Sequence, residues 1–219
     1  MVGYSWQHFW YENINNNGNL IPEDTARHKS FTDRQEYYLV SFYGRLNYTL
    51  LDRYLLTFTL RDDGSSKFSP DTRWGLFPSA AVAWKINEEA FLRDSKVVSQ
   101  LKLRLGWGIT GQQDVGIGVS NNWYPYLPTF LASDKWSMYQ LGNVFYTTLR
   151  AGGYDENIKW ETTTTYNAGV DLGFLNDRIT GSVDYYIRKT SDLLMWSPVP
   201  AGANLTNYIY TNVGDMENK

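Results

Sequence analysis

The sequence predicts an all-β protein whose strands form part of an antiparallel transmembrane β-barrel. Three observations predict this class. Apolar and polar residues alternate with period two in six segments, each close to or beyond the roughly 9–11 residues that cross a bilayer at a tilt. Short turns follow some of these segments and long loops follow others. Aromatic residues make up 16% of the chain although its mean hydropathy is polar, a combination that suits either a sugar-binding protein or the aromatic girdles of a barrel.

The first two predicted strands form a hairpin. In "YYLVSFYGRLNYTLL" one face carries apolar side chains such as Val40 and Leu46, and the other carries polar ones such as Arg45. The alternation resumes after a short polar turn at 52–53, which predicts two antiparallel neighbours.

Four further segments repeat this alternation, as in "LKLRLGWGIT", where Leu, Trp and Ile alternate with Lys, Arg, Gly and Thr. The six segments cover 38–50, 54–63, 74–85, 101–110, 165–174 and 179–188. The closing stretch "TNVGDMENK" predicts the start of a seventh strand.

The connections between these segments are of two kinds. Tight turns cover 51–53 and 176–178. Longer connections cover 62–73, 111–160 and 195–210. Because outer-membrane barrels have short turns at one rim and long loops at the other, we expect 1–36 to be an extracellular loop or partial strand. Residues 37–219 are then the barrel segment, with a long extracellular loop at about 111–160.

The two faces of the strands predict two surroundings. Rings near the ends of the apolar faces predict a girdle at the lipid interface, formed by Tyr38, Tyr48, Trp74, Trp84 and Trp107. Polar side chains predicted to line the lumen are Arg45, Arg61, Asp63, Lys102, Arg104, Asp171 and Arg188. Alternation alone also fits a soluble carbohydrate-binding β-sandwich, although strands of a sandwich are usually shorter, with a mode of about 5–6 residues.

Six or seven strands are too few to close a membrane barrel, which starts at about 8. We therefore expect a segment of a larger barrel. The formal net charge of -3 gives no indication of a nucleic-acid partner, and the absence of cysteine excludes disulfides and thiolate metal sites. No apolar run approaches the roughly 18 residues of a membrane helix, and the first twenty residues do not resemble a signal peptide.

No arrangement of residues predicts catalysis, a metal site or a cofactor. The two histidines, His8 and His28, precede the first clear strand and have no serine and acid at workable positions. Asp62, Asp63 and Asp71 offer oxygen ligands for calcium but lack the spacing of the common calcium loop. Bound calcium stays an alternative, and we expect that the protein is not an enzyme.

Four blocks of sequence resemble one family of transporters. In "LRDDGSSKFSPDTRWGLFPSAAVAWKINEEAFL" an Arg-x-Asp-Gly-Ser-Ser-Lys-Phe loop precedes Arg-Trp-Gly-x-Phe-Pro-Ser and a strand that ends in Trp. This is similar to the barrel of SusC/RagA-type TonB-dependent outer-membrane transporters. The other blocks, in the family's order, are "LKLRLGWGITGQQDVG", "ENIKWETTTTYNAGVDLGFLNDRITGSVDYYIRKTSDLL" and "NVGDMENK".

The resemblance implies a barrel of about 22 strands in the bacterial outer membrane, with a plug and a TonB-contacting segment that are not in this sequence. It also implies a SusD-like surface lipoprotein as partner, and glycans or oligopeptides as substrates. A passive porin is the remaining alternative. Aromatic side chains of the long loop are predicted to contact the substrate, the partner or one another, and these are Trp123, Tyr124, Tyr126, Trp136 and Tyr139.

Overall fold

The structure is a computed structural model that describes residues 1–17, 29–114, 123–133 and 136–219. Its strands are β1 (Val2–Asn17), β2 (Lys29–Leu50), β3 (Tyr54–Ser65), β4 (Trp74–Lys85), β5 (Val98–Gln112), β6 (Phe130–Ala132), β7 (Tyr139–Leu141), β8 (Val144–Tyr146), β9 (Leu149–Ala151), β10 (Glu161–Phe174), β11 (Ile179–Ser191), β12 (Leu194–Pro198), β13 (Tyr208–Asn212) and β14 (Asp215–Asn218). A 3-10 turn at Ile86–Glu88 follows β4. Within the described ranges, no helix is long and apolar enough to cross a membrane.

Eight strands form one antiparallel sheet in the order β1-β2-β3-β4-β5-β10-β11-β14. Neighbours in the sheet follow one another along the chain, except where shorter strands intervene. These shorter strands form three pairs of their own, β6 with β9, β7 with β8, and β12 with β13. The all-β antiparallel class and the barrel-type meander are therefore as the sequence predicts.

The register of the sheet collects the apolar residues on one face. Leu46 lies opposite Phe58, Phe58 opposite Ala80, and Ala80 opposite Trp107. This apolar face, which comprises the girdle residues and the aliphatic residues between them, is uncovered: Leu46 is 60% exposed and Val183 67% exposed. An uncovered apolar face of this extent is typical of a surface that meets lipid or another protein and is not the buried core of a soluble sandwich.

Tight turns join strands at one end of the sheet. The turn between β2 and β3 has positive φ angles at Leu51 and Asp52, and the turn between β10 and β11 has them at Leu175, Asn176 and Asp177. Asn and Asp tolerate this left-handed conformation, whereas it is uncommon for leucine. The geometry of the short turns therefore overrides residue preference at the two leucines.

The structure differs from our expectation for 1–36. β1 is a full strand paired with β2, and β2 begins at Lys29 rather than near residue 37. Both faces of β1 carry aromatic and polar residues, so β1 lacks the aliphatic stripe on which our prediction depended. The rest of that stretch, 18–28, lies outside the described residues.

The predicted long loop also contains more regular structure than we expected. β5 continues to Gln112, and the connection from β5 to β10 contains β6, β7, β8 and β9. Residues 115–122 and 134–135 of this connection lie outside the described residues.

Candidate functional site

A buried cluster packs where the long connections leave the sheet. Phe68 and Ile158 are fully buried, and Phe77, Trp160 and Tyr210 are nearly so. Because they come from β4, β13 and two different connections, this rim cluster fixes the connections to the sheet and to one another.

Hydrogen bonds hold the loop that carries the family signature, residues 61–79, against its neighbours. The carbonyl oxygen of Arg73 accepts bonds from the Ser65 amide (3.0 Å) and the Trp160 indole (2.8 Å). The hydroxyl of Thr72 donates to the carbonyl of Ile158 at 2.6 Å. The polar groups of the loop thus form hydrogen bonds that involve backbone atoms, and these bonds fix the loop at the rim of the sheet.

Lys67 is buried inside this loop. Its ammonium nitrogen lies 4.2 Å from the centroid of the Tyr37 ring and 5.7 Å from that of Trp123. The Asp114 carboxylate is 3.7 Å away. Burial lowers the pKa of the Lys67 ammonium, and the attraction of Asp114 partly offsets that effect. Lys67 therefore stabilises the packing of the loop, because its charge interacts with two aromatic rings and one carboxylate. We call Lys67, Tyr37, Trp123 and Asp114 the lysine cage.

Three of the five predicted contact residues form contacts within the protein. Trp123 lies with its ring centroid 5.4 Å from that of Tyr37. Tyr124 donates its hydroxyl to the backbone carbonyl of Glu36, and Tyr126 packs against the rim cluster. Trp123 and Tyr124 therefore fix the connection to β2, and Tyr126 fixes it to the rim cluster.

The other two predicted contact residues lie apart from the cage. Trp136 and Tyr139 are 82% and 60% exposed, and Tyr139 belongs to β7, paired with Tyr146 of β8. The structure does not bring all five rings into one site.

A groove of about 480 Å³ opens on the polar face where β4 and β5 diverge. Their pairing stops at Ser79 and Gly108. Beyond it Phe77 packs so close to Gly111 that a Cβ there would lie 2.1 Å from the ring. Polar side chains on the wall of the groove are Thr59, Arg61, Asp63, Ser79, Thr110 and Gln112. Gln113 also lines it, and its Oε1 is buried without a hydrogen-bond partner in the described part of the chain. The groove therefore offers hydroxyl, amide and charged groups to a polar occupant.

An arginine joins three strands elsewhere on the polar face. Arg104 of β5 binds Asp171 of β10 at 2.8 Å and Asp184 of β11 at 3.0 Å. Gly169 makes room for the second pair, because a Cβ there would lie 2.3 Å from the Asp184 carboxylate. Charge-assisted bonds of this kind stabilise the pairing of β5, β10 and β11.

The register places all seven residues predicted for the lumen on this polar face. They are Arg45, Arg61, Asp63, Lys102, Arg104, Asp171 and Arg188. Arg61 binds Asp63 at 2.7 Å and the hydroxyl of Ser41 at 3.0 Å. Lys102 lies opposite Asp171, which is held by Arg104.

The five residues predicted for the girdle share the opposite, apolar face. They are Tyr38, Tyr48, Trp74, Trp84 and Trp107. Trp84 and Tyr54 pair across β3 and β4 with their rings stacked, 6.2 Å apart. Trp107 lies inside β5, whereas Trp74 and Trp84 lie at the ends of β4.

Three donors converge on Glu89 just beyond the tight-turn end of the sheet. Its carboxylate accepts hydrogen bonds from Arg53 (2.7 Å), the Tyr54 hydroxyl (2.7 Å) and the Trp84 indole (3.0 Å). The bonds from Tyr54, Trp84 and Arg53 hold the pKa of Glu89 below its ordinary value.

The described residues contain no group of three or more His, Cys, Asp or Glu that could hold a metal ion. Asp63 is held by Arg61, and Asp71 is exposed in the loop. His8 bonds to Glu36 at 2.9 Å, and His28 lies outside the described residues. We assign no calcium or catalytic site to these side chains.

Sequence reasoning missed Lys67, Glu89 and Asp184 as interacting groups. Asp184 sits in period-two register with the other polar residues of β11, and that signal alone was available. Tyr37 precedes Lys67 by 30 residues and Tyr54 precedes Glu89 by 35, so no local pattern reveals these contacts.

The chain matches the model of one protein family. The model of the family "TonB dependent receptor-like, beta-barrel" matches residues 1–219. The chain belongs to the TonB-dependent receptor β-barrel family, which places it in the outer membrane. The predicted resemblance to SusC/RagA-type transporters is confirmed.

Two curated relatives refine this assignment. The chain is 54% identical over 180 residues to the TonB-dependent receptor SusC of Bacteroides thetaiotaomicron, which covers 82% of this chain and 17% of SusC. It is 35% identical over 202 residues to the TonB-dependent receptor P26 of Formosa agariphila, which covers 92% of this chain and 19% of P26. The chain thus spans less than a fifth of the length of these relatives.

A solved structure shares the fold. The structure of the RagAB peptide transporter superposes with a TM-score of 0.78 over 99% of this chain and 24% of that chain, at 23% identity. The likeness shows that this part of the barrel wall is built in the same way.

Proposed function

We propose that the chain is part of the barrel wall of an outer-membrane receptor that imports nutrients with energy from the TonB complex. The observation that carries this proposal is the uncovered apolar face. On strands of 12–15 residues, as in β3, β4 and β5, such a face is long enough to cross the hydrocarbon core. We infer that this face meets lipid, and that the wall carries no catalysis of its own.

We assign the polar face to the lumen. Its ion pairs, from Arg61 to Asp63 and from Arg104 to Asp171 and Asp184, are only partly exposed. Paired charges of this kind suit a wet interior that contacts a plug or a passing solute, whereas lipid would leave them poorly solvated. The groove bounded by Phe77 and Gly111 is the place on this face where a polar occupant fits best.

We propose a SusD-like surface lipoprotein as the partner, and glycans or oligopeptides as the substrates. The likeness to SusC and the shared fold with the RagAB peptide transporter support this choice. We assign Trp136 and Tyr139 to contact with the partner or substrate, because their rings are 82% and 60% exposed. Coupling to the TonB complex then falls to segments beyond 1–219.

Growth tests check this proposal directly. The gene for the complete receptor is deleted, and growth is compared on single glycans and on oligopeptides as sole nutrient. We expect growth to fail on one class and to return with the intact gene, but not with a gene that lacks the TonB-contacting segment. Uptake that persists without TonB energy would instead indicate a passive porin. A complete protein that is soluble and monomeric without detergent would contradict the barrel.

A further inference from the structure

We propose that the connection 86–97 is an interfacial foot that rests among phospholipid head groups at the tight-turn edge of the apolar face, with Phe91 inserted between them. This inference rests on the proposed function, because it requires the apolar face to meet lipid. It adds a lipid-binding element to a connection for which a turn alone would suffice.

The position of the foot follows from Glu89. Its carboxylate accepts hydrogen bonds from the Tyr54 hydroxyl and the Trp84 indole. Both rings belong to the apolar face, where they lie side by side. Glu89 therefore lies against the lipid side of the wall, and the connection bends outward and not beneath the lumen.

Phe91 is an exposed residue of a short helical turn. The amides of Leu92 and Arg93 both donate to the carbonyl of Glu89 at 2.9 Å, so the extended residue Glu89 precedes one helical turn at 90–93. Leu92 of this turn is half-buried, whereas its neighbour Phe91 is exposed. The Phe91 ring is 73% exposed, so it is not packed against the wall.

The chemistry of the foot fits the boundary between acyl chains and phosphates. Val97, in the same connection, is 58% exposed. Arg93 and Lys96 are exposed, and neither forms an ion pair with the part of the chain that the structure describes. These two cations can approach lipid phosphates while the exposed acids Glu88 and Asp94 of the same connection face water, and an aromatic ring is favoured at the apolar boundary just beneath. The foot continues the apolar face into the head-group layer.

The test uses the complete receptor, in a background without cysteine, in nanodiscs of phosphatidylcholine that contain a phospholipid spin-labelled near the top of its acyl chain. Phe91→Cys carries a fluorescent label. Leu46→Cys on the apolar face and Lys102→Cys on the polar face are the matched controls. We expect lipid to quench the Phe91 label at least about half as strongly as the Leu46 label, and to leave the Lys102 label bright.

A second variant separates anchoring from simple proximity. Glu89→Ala removes the carboxylate that holds the foot to the wall, so lipid quenching of the label at position 91 should fall at least about two-fold, while the Leu46 label is unchanged. If aqueous iodide quenches the label at position 91 and spin-labelled lipid does not, the proposed contact between the foot and lipid is wrong. A Leu46 label that lipid does not quench overturns the proposed function itself. Unchanged quenching in Glu89→Ala overturns the assignment of Glu89 as the anchor.

Discussion

The ammonium nitrogen of Lys67 lies 4.2 Å from the centre of the Tyr37 ring, within the loop that carries the family signature. With the centroid of the Trp123 ring 5.7 Å away and the Asp114 carboxylate 3.7 Å away, this lysine joins β2, the signature loop and the connection that follows β5. The signature therefore marks a packing element at the rim of the sheet. These contacts explain why the loop adopts one conformation.

Replacing Lys67 by methionine keeps the apolar stem and removes the charge. The loss of the cation–π contacts should destabilise the loop by about 1 kcal/mol, because relief of desolvation offsets part of the loss. We expect limited proteolysis near residues 113 and 123 to become about five-fold faster. Lys85→Met, on the polar face and outside the cage, is the control and should leave the cleavage rate unchanged. Equal rates in the two variants would contradict the cage.

The lowered pKa of Lys67 also predicts a pH dependence. The folded pKa lies below the ordinary value of 10.5, so between these values the unfolded chain binds more protons than the folded one. Stability must then rise with pH through that window. The unfolding midpoint of the wild-type receptor should increase relative to that of Lys67→Met as the pH approaches about 10. A difference that stays flat with pH would show that Lys67 is not desolvated.

Gly169→Ala tests the arginine bridge on the polar face. A Cβ at Gly169 would lie 2.3 Å from the Asp184 carboxylate and 2.9 Å from the Arg104 guanidinium. Both side-chain ends must shift to admit the methyl group, which disturbs the bridge, and we expect a loss of about 1 kcal/mol. Thermal unfolding of the complete receptor measures it. Gly106→Ala is the matched control on β5, since its nearest contact would be an ordinary 3.8 Å to Asn167. An equal effect at both glycines would mean that strand propensity, and not the bridge, sets the cost.

The faces of the strands were predictable because they depend only on local alternation. Arg104 and Trp107 differ by an odd number of residues, so the pleat alone places them on opposite faces. β1 was not predictable in the same way, since rings and polar groups occupy both of its faces. The contacts of Glu89 with Trp84 and of Lys67 with Tyr37 could not be predicted from the sequence either. They depend on where a connection folds back on the sheet, and alternation carries no information about that.

Glu89→Gln removes the negative charge of the carboxylate that accepts hydrogen bonds from Arg53, Tyr54 and Trp84. The folded pKa of Glu89 lies below its ordinary value of 4.5. Its contribution to stability is therefore fully present above 4.5 and is lost as the pH falls through the folded pKa. The variant should be less stable than wild type at neutral pH, and the difference should vanish in acid. Glu88→Gln, an exposed neighbour, should show neither effect. Unfolding midpoints across the acid range decide between these outcomes, and a pH-independent difference would contradict the network.

Leu46→Arg tests which face of the wall meets lipid. Leu46 lies on the apolar face opposite Phe58, in the row of side chains that continues across the sheet to Ala80 and Trp107. If that face is embedded, a guanidinium at this depth should cost about 2–4 kcal/mol and reduce assembly of the complete receptor. Asn47→Arg moves the same charge one residue along β2 to the polar face, where it joins Arg45 and stays hydrated. Its effect should remain below about 1 kcal/mol, because it removes only the exposed hydrogen bonds that Asn47 accepts from Arg45 and Thr57. Unfolding in lipid vesicles gives both values. Because a shift of one residue reverses the face of every side chain in a strand, the opposite ranking would invert the assignment of lumen and lipid for the whole sheet.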